Sequence, residues 1–94
     1  MLFSNATTTS SLFKPFYPVY KEIKEWECYL IQLKDATGEI VNIGEYSYSE
    51  SDKFTILLDD DREIKAISAG DVHRIIIELG VRGDLDKLIS WARE

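Results

Sequence analysis

Few residues of this 94-residue chain carry the chemistry that catalysis requires. His73 is the only histidine and Cys28 is the only cysteine. A nucleophilic cysteine needs a base within hydrogen-bonding reach, and a catalytic histidine needs a partner that orients its ring. The sequence has no paired cysteines, no His-x-Glu pattern and no Gly-x-Ser-x-Gly pattern. We therefore expect no enzymatic activity, a solvated His73 and a Cys28 that packs as a small apolar side chain.

The densest group of potential metal ligands is the acidic segment Asp59, Asp60 and Asp61, which Glu63 follows. Asp59, Asp61 and Glu63 alternate, as the acids of calcium-binding loops do. However, the glycine that bends such a loop and its late bidentate glutamate are both missing. We expect neither a metal nor a cofactor, and we interpret the three aspartates as a solvated turn that a basic partner can contact.

Aromatic residues form the other group with binding chemistry, because large rings supply much of the energy of protein interfaces. Some surround Pro15 and Pro18, which keep residues 12–20 extended as an arm, and others lie on the strands that follow. The candidate partner-binding aromatic residues are Phe13, Phe16, Tyr17, Tyr20, Trp26, Tyr46 and Tyr48. Together with the three aspartates of residues 59–61 they form the predicted docking residues.

The net charge of −6 is unevenly distributed along the chain. Residues 21–52 contain three lysines and eight acids, a balance of −5. A negative field repels phosphate groups, so direct binding to nucleic acid or to an anionic membrane is disfavoured. The charge favours a protein partner with a basic surface, and it leaves a homo-oligomer open.

Alternating apolar residues predict an antiparallel meander of three to four strands. We expect strands at about residues 25–34, 39–48, 53–58 and 63–67, joined by short polar turns such as Asp35–Gly38. A helix over residues 18–25 remains an alternative to the extended arm. Gly44, inside the second of these strands, indicates a bulge or a close backbone approach. Strict alternation around it would place Ile40 and Tyr46 on one side and Val41 and Ile43 on the other.

The C-terminal third contains one pattern twice, beginning at Gly70-Asp71 and again at Gly83-Asp84. Each copy predicts the start of a short helix, and we expect Ser68 to cap the first helix and Gly80 to end it. The predicted apolar stripes are Val72, Ile75, Ile76 and Leu79 on the first helix, and Leu85, Leu88, Ile89 and Ala92 on the second. The outward positions of the second helix hold more acids than bases, which favours packing on a sheet over reading DNA.

These patterns predict an α+β fold, an antiparallel meander with an extended N-terminal arm and two short C-terminal helices packed on one sheet face. Residues 12–94 are expected to form a single domain, and the polar residues 1–11 a flexible tail. The chain shows neither a convincing signal peptide nor the run of about 20 apolar residues that spans a membrane. With a single cysteine, a cytoplasmic location is the simplest expectation.

The function that these residues favour is a small, acidic, non-enzymatic module that binds and regulates a protein partner. Aromatic anchors would supply buried area, and the acids would steer a basic surface toward them. An alternative is an acidic inhibitor of the phage type, which mimics nucleic acid and blocks a basic nucleic-acid-binding protein. A small enzyme that uses His73 is the weakest hypothesis.

Overall fold

A computed structural model describes residues 12–94, so the flexible tail expected for residues 1–11 lies outside the described residues. The described chain forms a five-stranded antiparallel sheet followed by two helices. Its strands are β1 (Phe16–Lys24), β2 (Cys28–Asp35), β3 (Ile40–Ser49), β4 (Lys53–Leu58) and β5 (Glu63–Ala66), and its helices are α1 (Ala69–Val81) and α2 (Asp86–Arg93). The predicted α+β meander with two C-terminal helices is confirmed, with one strand more than the predicted three to four.

The additional strand is β1, which contains most of the predicted arm. It pairs antiparallel with β2, from Phe16 opposite Asp35 to Lys24 opposite Cys28. The alternative of a helix over residues 18–25 is therefore wrong, and the following strand begins at Cys28 rather than at residue 25. Proline has no backbone N–H to donate to a neighbouring strand. Pro18 is tolerated because β1 lies at the edge of the sheet and has a neighbour on one side only.

Gly44 lies at a β-bulge between β2 and β3. Ile31 pairs with Gly44 but Gln32 pairs with Asn42, so Ile43 is an extra residue on β3. A side chain at Gly44 would overlap the backbone of Leu57 on the neighbouring strand β4. Both predicted roles of this glycine, bulge and close approach, are confirmed.

Because of the bulge, the prediction of which β3 side chains share a face is wrong. Strict alternation places Tyr46 on the side opposite Val41 and Ile43, yet all three are buried in one core while Ile40 is exposed. The extra residue changes the phase of the strand, since side chains alternate between faces at every position. Tyr46 therefore faces the helices.

Ser68 caps α1 as predicted, because its Oγ accepts a hydrogen bond of 3.0 Å from the backbone N–H of Asp71. The predicted end at Gly80 is wrong, because α1 continues through Val81 and the left-handed glycine is Gly83, with φ of 84°. Gly80 is instead a packing position, since a β-carbon there would overlap the ring of Phe13.

The two copies of the Gly-Asp pattern occupy different structures. Gly70 and Asp71 lie within the first turn of α1, whereas Gly83 and Asp84 lie in the turn before α2, which begins at Asp86. The carbonyl oxygen of Asp84 accepts a hydrogen bond of 2.8 Å from Arg62, next to the β4–β5 turn. The second copy therefore directly precedes its helix, whereas the first copy lies inside its helix.

Both helices pack on one face of the sheet, α2 against β3 and α1 across β1, β4 and β5. The side chains that are least exposed come from every strand except the edge strands and from both helices: Ile31, Leu33, Ile43, Ile56, Leu58, Val72, Ile76, Leu85, Leu88 and Ile89. Ala92 was predicted to extend the stripe of α2, but it is exposed. Across residues 12–94, neither helix is both long and apolar enough to cross a membrane.

Candidate functional site

Two hairpin turns lie side by side at one end of the sheet, the β1–β2 turn and the β3–β4 turn. The backbone N–H of Tyr48 donates a hydrogen bond of 2.9 Å to the carbonyl oxygen of Glu27, which joins them. The helices leave aromatic rings at this end partly or largely exposed, on Trp26, Tyr29, Tyr48 and Phe54. We refer to these four residues as the aromatic end.

Three rings of the aromatic end, those of Tyr29, Tyr48 and Phe54, are fixed by contacts with one another or with the core. Tyr29 stacks on the buried Tyr46, with ring centroids 4.9 Å apart and planes inclined by 16°. Tyr48 contacts Phe54 at a centroid distance of 5.0 Å, and Phe54 contacts Tyr46 at 6.1 Å. Tyr46 thus links Tyr29, Phe54 and, through Phe54, Tyr48 to the core, so these three rings are held in place before any partner binds.

Trp26 is the most exposed ring of this surface, with 75% of its surface accessible. Its backbone adopts φ of 66°, a left-handed conformation that is rare for a bulky residue. A carboxylate oxygen of Glu22 accepts hydrogen bonds from the backbone N–H of Trp26 (3.0 Å) and from the hydroxyl of Tyr29 (3.4 Å). Burial and the charge of Glu22 raise the pKa of Tyr29, which keeps this hydroxyl protonated as a donor.

Tyr20 and His73 form a contact between β1 and α1, where 2.7 Å separates the Tyr20 hydroxyl from Nδ1 of His73. Burial, followed by the neighbouring Tyr46, raises the pKa of Tyr20 far above its usual value. Tyr20 therefore remains neutral at physiological pH. His73 is exposed, as predicted, and its contact with Tyr20 ties the helix to the edge strand.

A concave surface lies at the opposite end of β3 from the aromatic end, between that strand and α2. It is a groove of about 400 Å³, lined by Ile40, Val41, Asn42, Asp59, Leu88, Trp91 and Ala92. An ion pair of 3.4 Å between Arg93 and Glu39 joins the two walls. We call this surface the α2–β3 groove.

The three aspartates of the predicted acidic turn have different environments. Asp60 bonds to Arg62 at 2.7 Å, and this hydrogen bond lowers the pKa of Asp60. Asp61 is exposed in a left-handed conformation with φ of 70°. Burial, followed by the charges of Glu45 and Asp60, raises the pKa of Asp59, which lines the α2–β3 groove.

No group of three or more His, Cys, Asp or Glu side chains within residues 12–94 is arranged to hold a metal ion. Glu63, the fourth acid of the alternating pattern, is bound to Lys65 at 3.1 Å. Cys28 lies near Glu45, with 3.7 Å between Sγ and a carboxylate oxygen. Burial, followed by the charge of Glu45, raises the pKa of Cys28, so the thiol is not activated as a nucleophile.

The predicted docking residues are divided between the core and the surface. Phe13, Phe16 and Tyr46 are buried, with 5–7% of each accessible, so they stabilise the fold and offer a partner no surface. Tyr17 is exposed on the sheet face away from the helices, and Tyr20 is partly buried against His73. The structure brings together only Trp26 and Tyr48 as exposed rings, at the aromatic end.

The predicted docking residues omit Tyr29 and Phe54 of the aromatic end and every residue of the groove except Asp59. Tyr29 and Phe54 belong to the aromatic end because they pair across the strands with Tyr46 and Tyr48. Pairing the strands residue by residue, starting from the two hairpin turns, would have placed Tyr29 and Phe54 beside these rings. Trp91 and Ile40 line the groove, and the signal for Trp91 was its position outside the apolar stripe of α2.

The fold and both surfaces define a small α+β protein, a meander whose helix-covered face ends in an exposed aromatic surface. Comparison with known proteins gives no family model, no curated sequence and no solved structure that matches the chain. The functional argument therefore depends on the geometry of the chain itself.

Proposed function

We propose that this protein is a small, acidic, non-enzymatic module that binds and regulates a protein partner, and that the aromatic end is its docking surface. The observation that carries the proposal is Trp26, which is 75% accessible at the tip of a structured hairpin. Tryptophan and tyrosine are enriched among the residues that dominate binding energy. The backbone of Trp26 is already held by its hydrogen bond to Glu22, so binding costs less backbone entropy there.

The negative charge around the aromatic end favours a partner with a basic surface. Residues 22–29 and 46–54, which carry the aromatic end, contain five acids and two lysines, a balance of −3. Acids around an aromatic centre accelerate association with a basic surface and orient it. The expected location remains the cytoplasm, because a single cysteine allows no internal disulfide.

The alternative of nucleic-acid mimicry has less support from the arrangement of charge. All four arginines, Arg62, Arg74, Arg82 and Arg93, form ion pairs with carboxylates of this chain. These pairs neutralise acids that a mimic of a phosphate backbone would present. A partner whose binding is lost at high salt but unaffected by removal of Trp26 would favour mimicry.

The docking proposal is tested by affinity capture from the native cell with wild-type protein, Trp26→Ala and Tyr17→Ala as bait. Tyr17 is a matched control because it is 51% accessible but lies on the sheet face away from the helices. We expect a specific partner to be retained by wild-type protein and Tyr17→Ala and to bind Trp26→Ala at least tenfold more weakly. A partner captured equally by all three baits would contradict the proposal.

A further inference from the structure

The α2–β3 groove combines apolar walls with one carboxylate that lacks a cation. Leu88, Trp91 and Ala92 of α2 form one wall, and Ile40 of β3 contributes to the other. Trp91 is 48% accessible, so the groove exposes apolar surface to solvent. Among the described residues, no Lys, Arg or His forms an ion pair with Asp59.

The surroundings of Asp59 make a bound cation favourable. Although Asp59 is exposed overall, local desolvation, followed by the charges of Glu45 and Asp60, raises its pKa. Asp60 forms an ion pair with Arg62, whereas Asp59 forms none with the described residues. A cation placed in the groove would offset the repulsion that Asp59 experiences from Glu45 and Asp60.

The indole of Trp91 already contacts one cation, because the ammonium of Lys87 lies 4.9 Å from its ring centroid. Arg93, two residues further on, holds its guanidinium 5.7 Å from the ring centroid of Phe16. A planar guanidinium is weakly hydrated, stacks on aromatic faces and bonds to carboxylates. An arginine side chain therefore matches apolar walls, an indole and a carboxylate better than the compact, strongly hydrated ammonium of lysine.

We propose that the α2–β3 groove binds an arginine side chain of a protein partner, with the guanidinium at Asp59 and the aliphatic part along Trp91. The groove lies at the opposite end of β3 from the aromatic end, so it is a second, independent contact. Only the source of the arginine, a protein, rests on the proposed function; the chemistry of the groove does not.

The test uses the two tryptophans of the chain as separate reporters, because Trp91 lines the groove and Trp26 lies at the aromatic end. Uniformly ¹⁵N-labelled protein is titrated at pH 7 with N-acetyl-argininamide while both indole N–H signals are followed by NMR. We expect a saturable shift of the Trp91 signal with a Kd of about 1 mM, as about 0.3 kcal/mol per heavy atom gives for a ligand of this size. The Trp26 signal should stay unchanged.

Asp59→Asn removes the charge with little change in shape, and we expect it to weaken binding at least tenfold. Asp61→Asn is the matched control, because Asp61 is an exposed acid of the same turn that does not line the groove. The backbone amide spectrum of each variant reports whether it is folded. N-acetyl-lysinamide should bind several-fold more weakly than the arginine derivative, and N-acetyl-glutaminamide should give no saturable shift.

Several results would overturn the proposal: a Trp91 signal that does not move, a shift confined to Trp26, or equal binding to wild-type protein and Asp59→Asn. Equal shifts with the arginine and lysine derivatives would overturn the assignment to arginine. Because the ligand is a free amino-acid derivative, these results are independent of partner capture with Trp26→Ala. Failure of one test therefore leaves the other informative.

Discussion

Glycines show how sharply single positions are constrained in this protein. A β-carbon at Gly44 would overlap the backbone of Leu57 and approach Cα of Leu58 to 2.8 Å. The backbone of a neighbouring strand cannot move aside without breaking ladder hydrogen bonds. Gly70, in the first turn of α1, has only Ser68 Oγ near the same position, at 3.8 Å.

Gly44→Ala should therefore lower the free energy of unfolding by about 1–3 kcal/mol, the usual cost of overpacking. Gly70→Ala should leave it unchanged or raise it by about 0.5 kcal/mol, because alanine favours helix and meets no obstacle. Urea unfolding followed by circular dichroism measures both. Equal stabilities of the two variants would show that Gly44 is not closely packed.

The element that depends most clearly on one side chain is α1. Ser68 accepts a hydrogen bond from the Asp71 backbone at its start, while the Asp71 carboxylate accepts one of 3.0 Å from the backbone N–H of Ile67. These bonds satisfy donors that a helix start leaves unpaired. The same carboxylate holds Arg74 at 2.8 Å, so the first turn is fixed at three positions.

Ser68→Ala should lower the free energy of unfolding by about 1 kcal/mol, because it removes the cap. Ser90→Ala is the control, since Ser90 is an exposed serine within α2 and should be neutral or slightly stabilising. Thermal or urea unfolding of the two variants gives the comparison. A loss in Ser90→Ala as large as that in Ser68→Ala would contradict the capping role.

The two surfaces belong to different elements and follow from how the meander meets the helices. The β1–β2 and β3–β4 turns extend past the helices, which exposes Trp26 and Tyr48. At the other end α2 lies beside β3 and leaves the groove between them. The edge strand β1 carries Pro18, alternating charges and a register shift between Glu22 and Lys24, features that hinder pairing with another strand.

For the molecule as a whole, carboxylates held by hydrogen bonds determine the response to acid. The fold lowers the pKa values of Asp35, Asp60 and Asp71: the largest contributions are the Thr37 hydroxyl for Asp35, Arg62 for Asp60 and the backbone of Ile67 for Asp71. Such groups stabilise the folded state above their unfolded pKa of about 4, and this contribution is lost as pH falls through their lowered folded values. Asp59 has the opposite sign, because its pKa is raised.

Three carboxylates with a lowered pKa outweigh one with a raised pKa, so the free energy of unfolding should decrease between pH 5 and pH 2. Urea unfolding at pH 7, 5, 3 and 2 measures this, and Asp71→Asn should reduce the decrease because it removes one of the three groups. Asp59→Asn should make the decrease steeper, since protonation of Asp59 partly offsets it. A stability that is constant from pH 7 to pH 2 would contradict the assignment.

The sequence by itself determined the class of fold, the strand Lys53–Leu58, the cap at Ser68 and the bulge at Gly44, because these depend on local periodicity, turn residues and a side chain that bonds to its own backbone. It also determined the acidic balance and the exposed Trp26. For the candidate surfaces, it identified Trp26, Tyr48 and Asp59 but not the residues around them.

Only the tertiary structure decided which aromatic residues are available to a partner. The bulge changed the phase of β3 and placed Tyr46 in the core, and Gly80 made room on α1 for Phe13. Burial depends on which element covers a residue, and that is set by contacts between distant segments rather than by local pattern. The α2–β3 groove has the same origin, since Asp59 and Trp91 meet only where the meander and the last helix pack together.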